Sequence, residues 1–385
     1  MKKNNGLKVA ILSVSFLLML RLTISPALAE IGKAFPDVSQ GMLMNMVALP
    51  SLIAIPFGLI AGVLSNYWKK KNILLIGIVL FLVGGIGPMF LNNIISILIM
   101  RCVLGAGTGL FLPFAAGLIA DFYVGDERNE MLGFQSTAVA VGNIVTSVLA
   151  GILATYSWRL AFLIYAFGVI SMVLVLMKVP EPERVEKDGN PKNTINKDML
   201  KICIGIFVYA MIYFTFFGYL AFVIDSKNLG DASISGLATM IMTLFSIIMG
   251  VVFGKLVRTI QRFILTFSLL GNAIGFLFLS LASSIGMIFI GAAFIGVGFG
   301  LLMPYGTMKI TDAAPKKAAT FANGLFMTFV NIGTALSPTI TVLVGNIFNN
   351  QDGQFIYLGC AILLGVATLV AFTLSLFPKK ATQIA

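Results

Sequence analysis

The chain has 385 residues, of which 58% are hydrophobic and 11% charged, with a mean hydropathy of +1.00. A water-soluble domain carries about a quarter charged residues, so this composition excludes one and requires an integral membrane protein. The net charge of +11 does not point to nucleic acid, because the basic residues flank apolar runs, where they orient helices and meet anionic headgroups.

The apolar runs are about 20 residues long, enough to cross the hydrocarbon core as helices and too long for the strands of a barrel. They fall at 7–29, 42–64, 72–92, 94–119, 131–154, 159–178, 199–224, 234–256, 263–283, 285–307, 320–346 and 355–377. The expected fold class is therefore all-α and membrane-integral, with twelve spans. Threaded with the N-terminus inside, almost all of the 26 Lys and Arg fall on one face, among them Lys69, Lys70, Lys71, Lys255, Arg258, Arg262, Lys316 and Lys317. Lys33, Arg159 and Lys227 fall on the other. The positive-inside rule then predicts a multi-pass protein of the cell membrane with both termini cytoplasmic.

Taken in chain order, the first span imitates a cleavable signal peptide. It has Lys2 and Lys3, an apolar run from Val9 to Leu20, and Ala27-Leu28-Ala29 before Glu30. Arg21 interrupts that run, and removal would leave an odd number of spans, so the segment is expected to stay as the first transmembrane helix. The second span ends in Gly62-Val-Leu64-Ser-Asn66-Tyr67-Trp68-Lys69-Lys70-Lys71, and its Gly58 and Gly62 are echoed 192 positions later by Gly250 and Gly254. The fourth span holds Arg101 and then Gly105, Gly107, Gly109 and Pro113. This frame recurs 191 positions later in the tenth span as Gly296, Gly298, Gly300 and Pro304, with Ala292 in place of the arginine. The register continues through Asp121/Asp312, Gly133/Gly324 and Gly142/Gly333, so the chain is a duplicated object. These glycines and prolines predict close packing and bending, and are read as hinges for rocking of one half on the other.

Between the sixth and seventh spans, Pro180-Glu-Pro182 and the charged residues after it have the composition of a solvated connector. The expected division is a six-helix bundle at 1–179, a cytoplasmic linker at 180–198 and a second bundle at 199–385. The two are parallel copies, an arrangement typical of transporters. Cys102, Cys203 and Cys360 lie inside spans without metal-ligand spacing, so neither a metal site nor a disulfide framework is expected.

At this point the sequence resembles the major facilitator superfamily over its whole length. The loop after the second span matches that family's Gly-x-Leu-x-Asp-Arg-x-Gly-Arg-Lys element at Gly62, Leu64, Lys70 and Lys71, with Asn66 and Tyr67 where Asp and Arg are usual. Arg101 with Gly105 and Gly107 matches its Arg-x-x-x-Gly-x-Gly element. The Gly-Pro signature of its drug antiporters is degraded: Gly142 and Gly151 fit, but Thr146-Ser147 stands at the centre. The resemblance implies that the first and fourth helices line a central cavity, and that Gly62, Asn66, Lys70 and Lys71 form a conformational loop.

An arginine at membrane depth must face a cavity or a partner. Arg21 and Arg101 both lie roughly 12–14 Å below the less basic surface by the helical rise, and no Asp or Glu falls well inside a span. The cavity is expected to be electropositive and to bind a carboxylate or phosphate through the guanidinium fork. For Arg101 the alternative is a brace on backbone carbonyls. In the seventh span Tyr209, Tyr213 and Phe216 form an aromatic stripe that could flank an amphipathic solute. Gln135 and Asn143 in the fifth span, and Asn323 and Asn331 in the eleventh, share helix faces and serve as lining or as interhelical glue, as do Asn45 and Asn272.

The chain is thus expected to be a secondary carrier of a small organic solute, anionic or amphipathic, working by alternating access in the lipid bilayer without a cofactor, as a monomer. A proton or ion is the coupling partner to consider, although the chain has no His. The alternatives are a proton-coupled multidrug exporter and a membrane-embedded sensor. An enzyme would need a catalytic or metal constellation at membrane depth, and none is visible.

Overall fold

The computed structural model describes residues 5–65, 67–182, 195–315 and 319–376, all of whose regular elements are helices. Asn66, Lys316, Lys317 and 183–194 of the expected linker lie outside the described residues. In chain order the α-helices are α1 (Asn5–Leu17), α2 (Leu28–Ala34), α3 (Gln40–Leu64), α4 (Lys70–Ile86), α5 (Ile94–Phe122), α6 (Gly125–Tyr156) and α7 (Phe167–Lys178). After the linker come α8 (Lys197–Ser226), α9 (Ala232–Ile260), α10 (Ile264–Ser280), α11 (Ile285–Ala313), α12 (Ala319–Ile347) and α13 (Gly353–Leu376). Among the described residues, 11 segments are long and apolar enough to cross a membrane, and α10, with 17 residues, is a shorter apolar helix in the ninth position. The first segment joins α1 to α2, and the sixth joins a 3-10 stretch, Leu160–Ala166, to α7.

The repeat reaches down to the helix caps. Asn93 caps α5 by accepting from the Ile95 amide at 2.8 Å, and 191 positions on Ser284 caps α11 by accepting from Met287 at 3.4 Å. Each side chain satisfies an amide that the first turn cannot pair internally. Packing repeats as well: α5 lies against α3 and α4, and α11 lies against α9 and α10. Gly105 and Gly109 abut Pro50 and Ala54 of α3, while Gly107 abuts Phe81 of α4; Gly296 and Gly300 abut Met242 and Ser246 of α9, while Gly298 abuts Asn272 of α10. A Cβ at any of the six would overlap its neighbour.

The glycines read as hinges, Gly105, Gly107, Gly109, Gly296, Gly298 and Gly300, are packing contacts in this structure. α5 and α11 run unbroken through Pro113 and Pro304, and a glycine wedged against another helix's backbone is locked rather than free. The break in helical structure occurs elsewhere, between α1 and α2.

Helices from before and after the linker meet in two crossings, α3 on α12 and α6 on α9, with α8 against the first span. A Cβ on Gly151 of α6 would lie 2.6 Å from the Ala232 carbonyl oxygen and 3.1 Å from Ser233 Cα, and one on Gly41 of α3 would lie 2.6 Å from Val342 Cγ2 of α12. These are one contact made twice, since the repeat carries Gly41 to Ser233 and Gly151 to Val342. All of these residues lie toward the end opposite the basic loops, here the far end. Closer to the basic end, Gly62, Gly133, Gly250, Gly254 and Gly324 on the same four helices would meet nothing within 4 Å of an added Cβ. The two groups of helices are therefore closed on each other at the far end and diverge toward the basic end.

Candidate functional site

The site begins with the interruption of the first span. Pro26 cannot donate a backbone hydrogen bond, and the chain before and around it winds into two 3-10 turns, Leu20–Leu22 and Ser25–Ala27. Hydroxyls support the irregular path. Thr23 Oγ1 donates to the Met19 carbonyl at 3.2 Å and lies 3.1 Å from Thr146 Oγ1 on α6, while Ser25 Oγ donates to the Phe217 carbonyl on α8. The turns pair Leu22 with Met19, Thr23 with Leu20 and Ala27 with Ile24, which leaves the Arg21 carbonyl without a backbone donor.

Arg101 takes up that carbonyl. Its side chain is 0% exposed, and Nη2 donates to the Arg21 oxygen at 2.8 Å. Nε donates to the Met46 oxygen at 2.6 Å and Nη1 to the Tyr165 hydroxyl at 2.7 Å. Met46 stands four residues before Pro50, inside α3, so its carbonyl lacks the i+4 amide of an ordinary helix. One guanidinium thus satisfies two orphaned carbonyls and ties together the first, second, fourth and sixth spans. Of the two roles left open for Arg101, ligand contact and brace, this hydrogen bonding matches the brace. Neither Tyr165 nor the Pro50 effect was singled out from sequence; the proline four residues after Met46 was the available signal.

Arg21 has the opposite character. Its Nε and Nη1 are shut off from solvent without a hydrogen-bond partner, while the residue as a whole is half-buried. Among the described residues no ion pair reaches Arg21 or Arg101. The acids nearest in the chain are engaged at the span ends: Glu30 and Asp225 hold Lys33 at 2.9 and 2.6 Å, and Asp121 holds Lys70 at 2.7 Å. Because Arg101 is satisfied only by neutral acceptors, its charge adds to that of Arg21, and the potential at this depth is positive.

The repeat offset of 192 that relates Gly62 to Gly254 also relates Arg21 to Tyr213, a pairing that sequence reasoning missed. Tyr213 stacks on Phe299 at 4.4 Å between ring centroids and on Tyr209 at 5.8 Å, with Phe217 edge-on at 5.6 Å. Among the described residues, the Tyr213 hydroxyl donates to Met242 Sδ at 3.5 Å. Tyr209 is buried, and its hydroxyl donates to Asn272 Oδ1 at 3.3 Å; Asn272 is itself 0% exposed and donates to the Ser268 carbonyl at 2.9 Å. Asn272 is therefore interhelical glue, and Tyr209 backs Tyr213.

The four polar residues of the fifth and eleventh spans separate in the structure. Asn143 Nδ2 donates to Thr243 Oγ1 at 2.6 Å, joining α6 to α9 across the repeat. Asn323 donates to Thr311 Oγ1 at 3.0 Å on its own side. Asn331 is buried and Gln135 half-buried. In the loop motif, Gly62 is open, whereas Lys70 and Lys71 are anchored at the first turn of α4, where Glu181 accepts from their amides at 2.7 and 3.2 Å. A carboxylate suits a helix N-terminus, so the linker opens on a tethered residue.

At the far end, Lys33 and Asp225, themselves 192 apart, form an ion pair across the two repeats. A vestibule of about 410 Å³ lies beside it, lined by Gly32, Gln40, Phe222 and Asp352 among others.

Comparison with known proteins finds the Major Facilitator Superfamily profile matched at residues 10–260 and 202–384. The Quinolone resistance protein NorA of Staphylococcus aureus is 25% identical over 364 residues, with 89% of each chain covered. Among solved structures, a POT family transporter in complex with 5-aminolevulinic acid aligns at a TM-score of 0.77 and 12% identity, covering 96% of both chains. A D-xylose-proton symporter aligns at 0.70 and 18% identity, covering 96% of this chain and 97% of that one.

Proposed function

The chain belongs to the Major Facilitator Superfamily, and from that premise we propose that this multi-pass membrane transporter carries small organic anions, or amphipathic solutes with an anionic head, by alternating access. The observation that carries the reading is Arg21: a guanidinium with two dry, unpartnered nitrogens on the broken first helix. Burying a charge is costly unless it is paired, and a carboxylate or phosphate oxygen is the ligand whose geometry fits the guanidinium edge. The stacked face of Tyr213 and Phe299, at the position equivalent to Arg21 in the second repeat, suits an apolar or planar body attached to that head. Gln135 and Asn331 are further candidate contacts. The protein is proposed to sit in the cell membrane as a monomer with its basic end and both termini cytoplasmic, without enzymatic activity or a cofactor.

Counterflow in proteoliposomes tests this reading, comparing labelled organic anions with cationic dyes. The expected outcome is selective uptake of anions by the wild type and its loss in Arg21→Ala, which still folds and inserts. Normal uptake by that variant removes the basis for the reading. A broad-specificity exporter is the second reading, favoured by the similarity to NorA and by the aromatic stack; uptake of cationic dyes with Arg21 dispensable would select it.

A further inference from the structure

We propose, resting on the reading of Arg21 as the anion contact, that the protein is an obligatory exchanger: the anion-loaded carrier crosses between its two open states and the empty carrier does not. With both ends closed, the Arg21 guanidinium needs a counter-charge inside the protein. An arginine stays protonated at neutral pH. The chain has no His, Glu30 and Asp225 share Lys33 at the far end, Asp121 pairs with Lys70, and Asp312 stands in the last turn of α11 at the basic end. Among the described residues, then, no acid at this depth is left to accept the charge.

In the state seen here Arg21 keeps partial exposure, although Nε and Nη1 are already dry and unpartnered. Closing the basic end removes the remaining contact with water. Arg101 worsens the position, because its own charge is met by two carbonyls and a hydroxyl only. On the smaller membrane-insertion scales, full transfer of an unpaired arginine corresponds to about a hundredfold in rate, which sets the upper bound for slowing of the empty transition because Nε and Nη1 are already dry. An anion held on the guanidinium cancels the charge before closure, so the loaded carrier escapes the penalty. Each anion carried one way is then followed by another carried back, and a proton on a protein side chain has no part in the return.

Single-molecule fluorescence transfer reads the empty transition directly and needs no knowledge of the substrate. Dyes placed through Tyr156→Cys and Ile347→Cys report the far-end separation, since both positions are exposed at helix ends on opposite sides of the repeat, while the native Cys203 and Cys360 are buried and Cys102 is half-buried. In liposomes containing potassium chloride as the only salt, dwell times should be longer for Arg21 than for Arg21→Gln, by up to ~100-fold. Arg21→Lys, which keeps the charge, should remain slow. Arg21→Met replaces the glutamine variant if the latter does not fold. Fast switching of the unsubstituted Arg21 protein in chloride, at the rate of the neutral variants, or fast switching of Arg21→Lys, overturns the proposal. The anion reading itself fails on a separate result, in which none of benzoate, citrate or inorganic phosphate raises the melting temperature of the wild type.

Discussion

Two arginines at the same depth divide the work between them, and the division follows from which carbonyls the chain leaves unpaired. Arg101 is held by Met46, Tyr165 and Arg21, so its removal leaves buried acceptors empty. Tyr165→Phe strands one guanidinium N–H and should destabilise the fold by about 1–3 kcal/mol, read as a lowered melting temperature. Any ligand that raises the melting temperature of the wild type should raise that of Tyr165→Phe by the same amount, because a brace is not a contact; loss of that increment would return Arg101 to the binding site. Pro50→Ala should act in the same direction by a different route. It restores an amide to pair with the Met46 carbonyl and displaces Nε, so a helix-favouring substitution is expected to lower stability, contrary to propensity alone. From sequence, the depth of both arginines was readable by counting residues, but their partners were not. The partner of Arg101 depends on a proline in another helix, and an apolar pattern records periodicity without naming neighbours.

At the scale of the helices, the small residues act as contact surfaces. Gly236 sits so that an added Cβ would lie 2.5 Å from the Ser147 carbonyl oxygen, and Gly151 so that it would lie 2.6 Å from the Ala232 oxygen. Overpacking of this kind costs roughly 1–3 kcal/mol, and here it falls on the far-end closure rather than on either repeat's own core. Gly236→Val should therefore shift the population toward the far-end-open state by about tenfold or more. Alkylation of a cysteine placed through Ser226→Cys, which lines the far-end vestibule, by a reagent added on that side should quicken accordingly; an unchanged rate would show that the α6–α9 crossing does not close the path. The glycine frame itself was legible, because two copies at a fixed offset stand out in any apolar sequence. Its role was not, since small-residue spacing is common to bending and to tight packing. The break in the first span was missed for a related reason: Pro26 lies in an apolar run whose length already satisfied a full crossing.

Across the whole molecule, the duplication explains why the far end closes as it does. The ion pair Lys33–Asp225 and the bond from Ser25 to Phe217 join positions related by the repeat, and the contacts Gly41–Val342 and Ser233–Gly151 are copies of one another under it. Duplicated bundles that meet in this way share a pseudo-twofold axis along the membrane normal, the arrangement expected for rocking about a central site. The fold class and the approximate number of spans were legible because hydrocarbon thickness acts on composition. The state of the gates was not, since opening and closing depend on contacts between helices far apart in the chain. The account therefore stands on the far-end closure being one of two positions that the protein must visit. A disulfide across it is the most direct test: the ideal Cβ of Gly41 lies 3.7 Å from Val342 Cβ, close to the separation in native disulfides. The Gly41→Cys, Val342→Cys protein, reconstituted in liposomes, should show no counterflow of labelled anion when oxidised and regain it on reduction. Counterflow at the reduced rate in the fully oxidised protein would contradict the account.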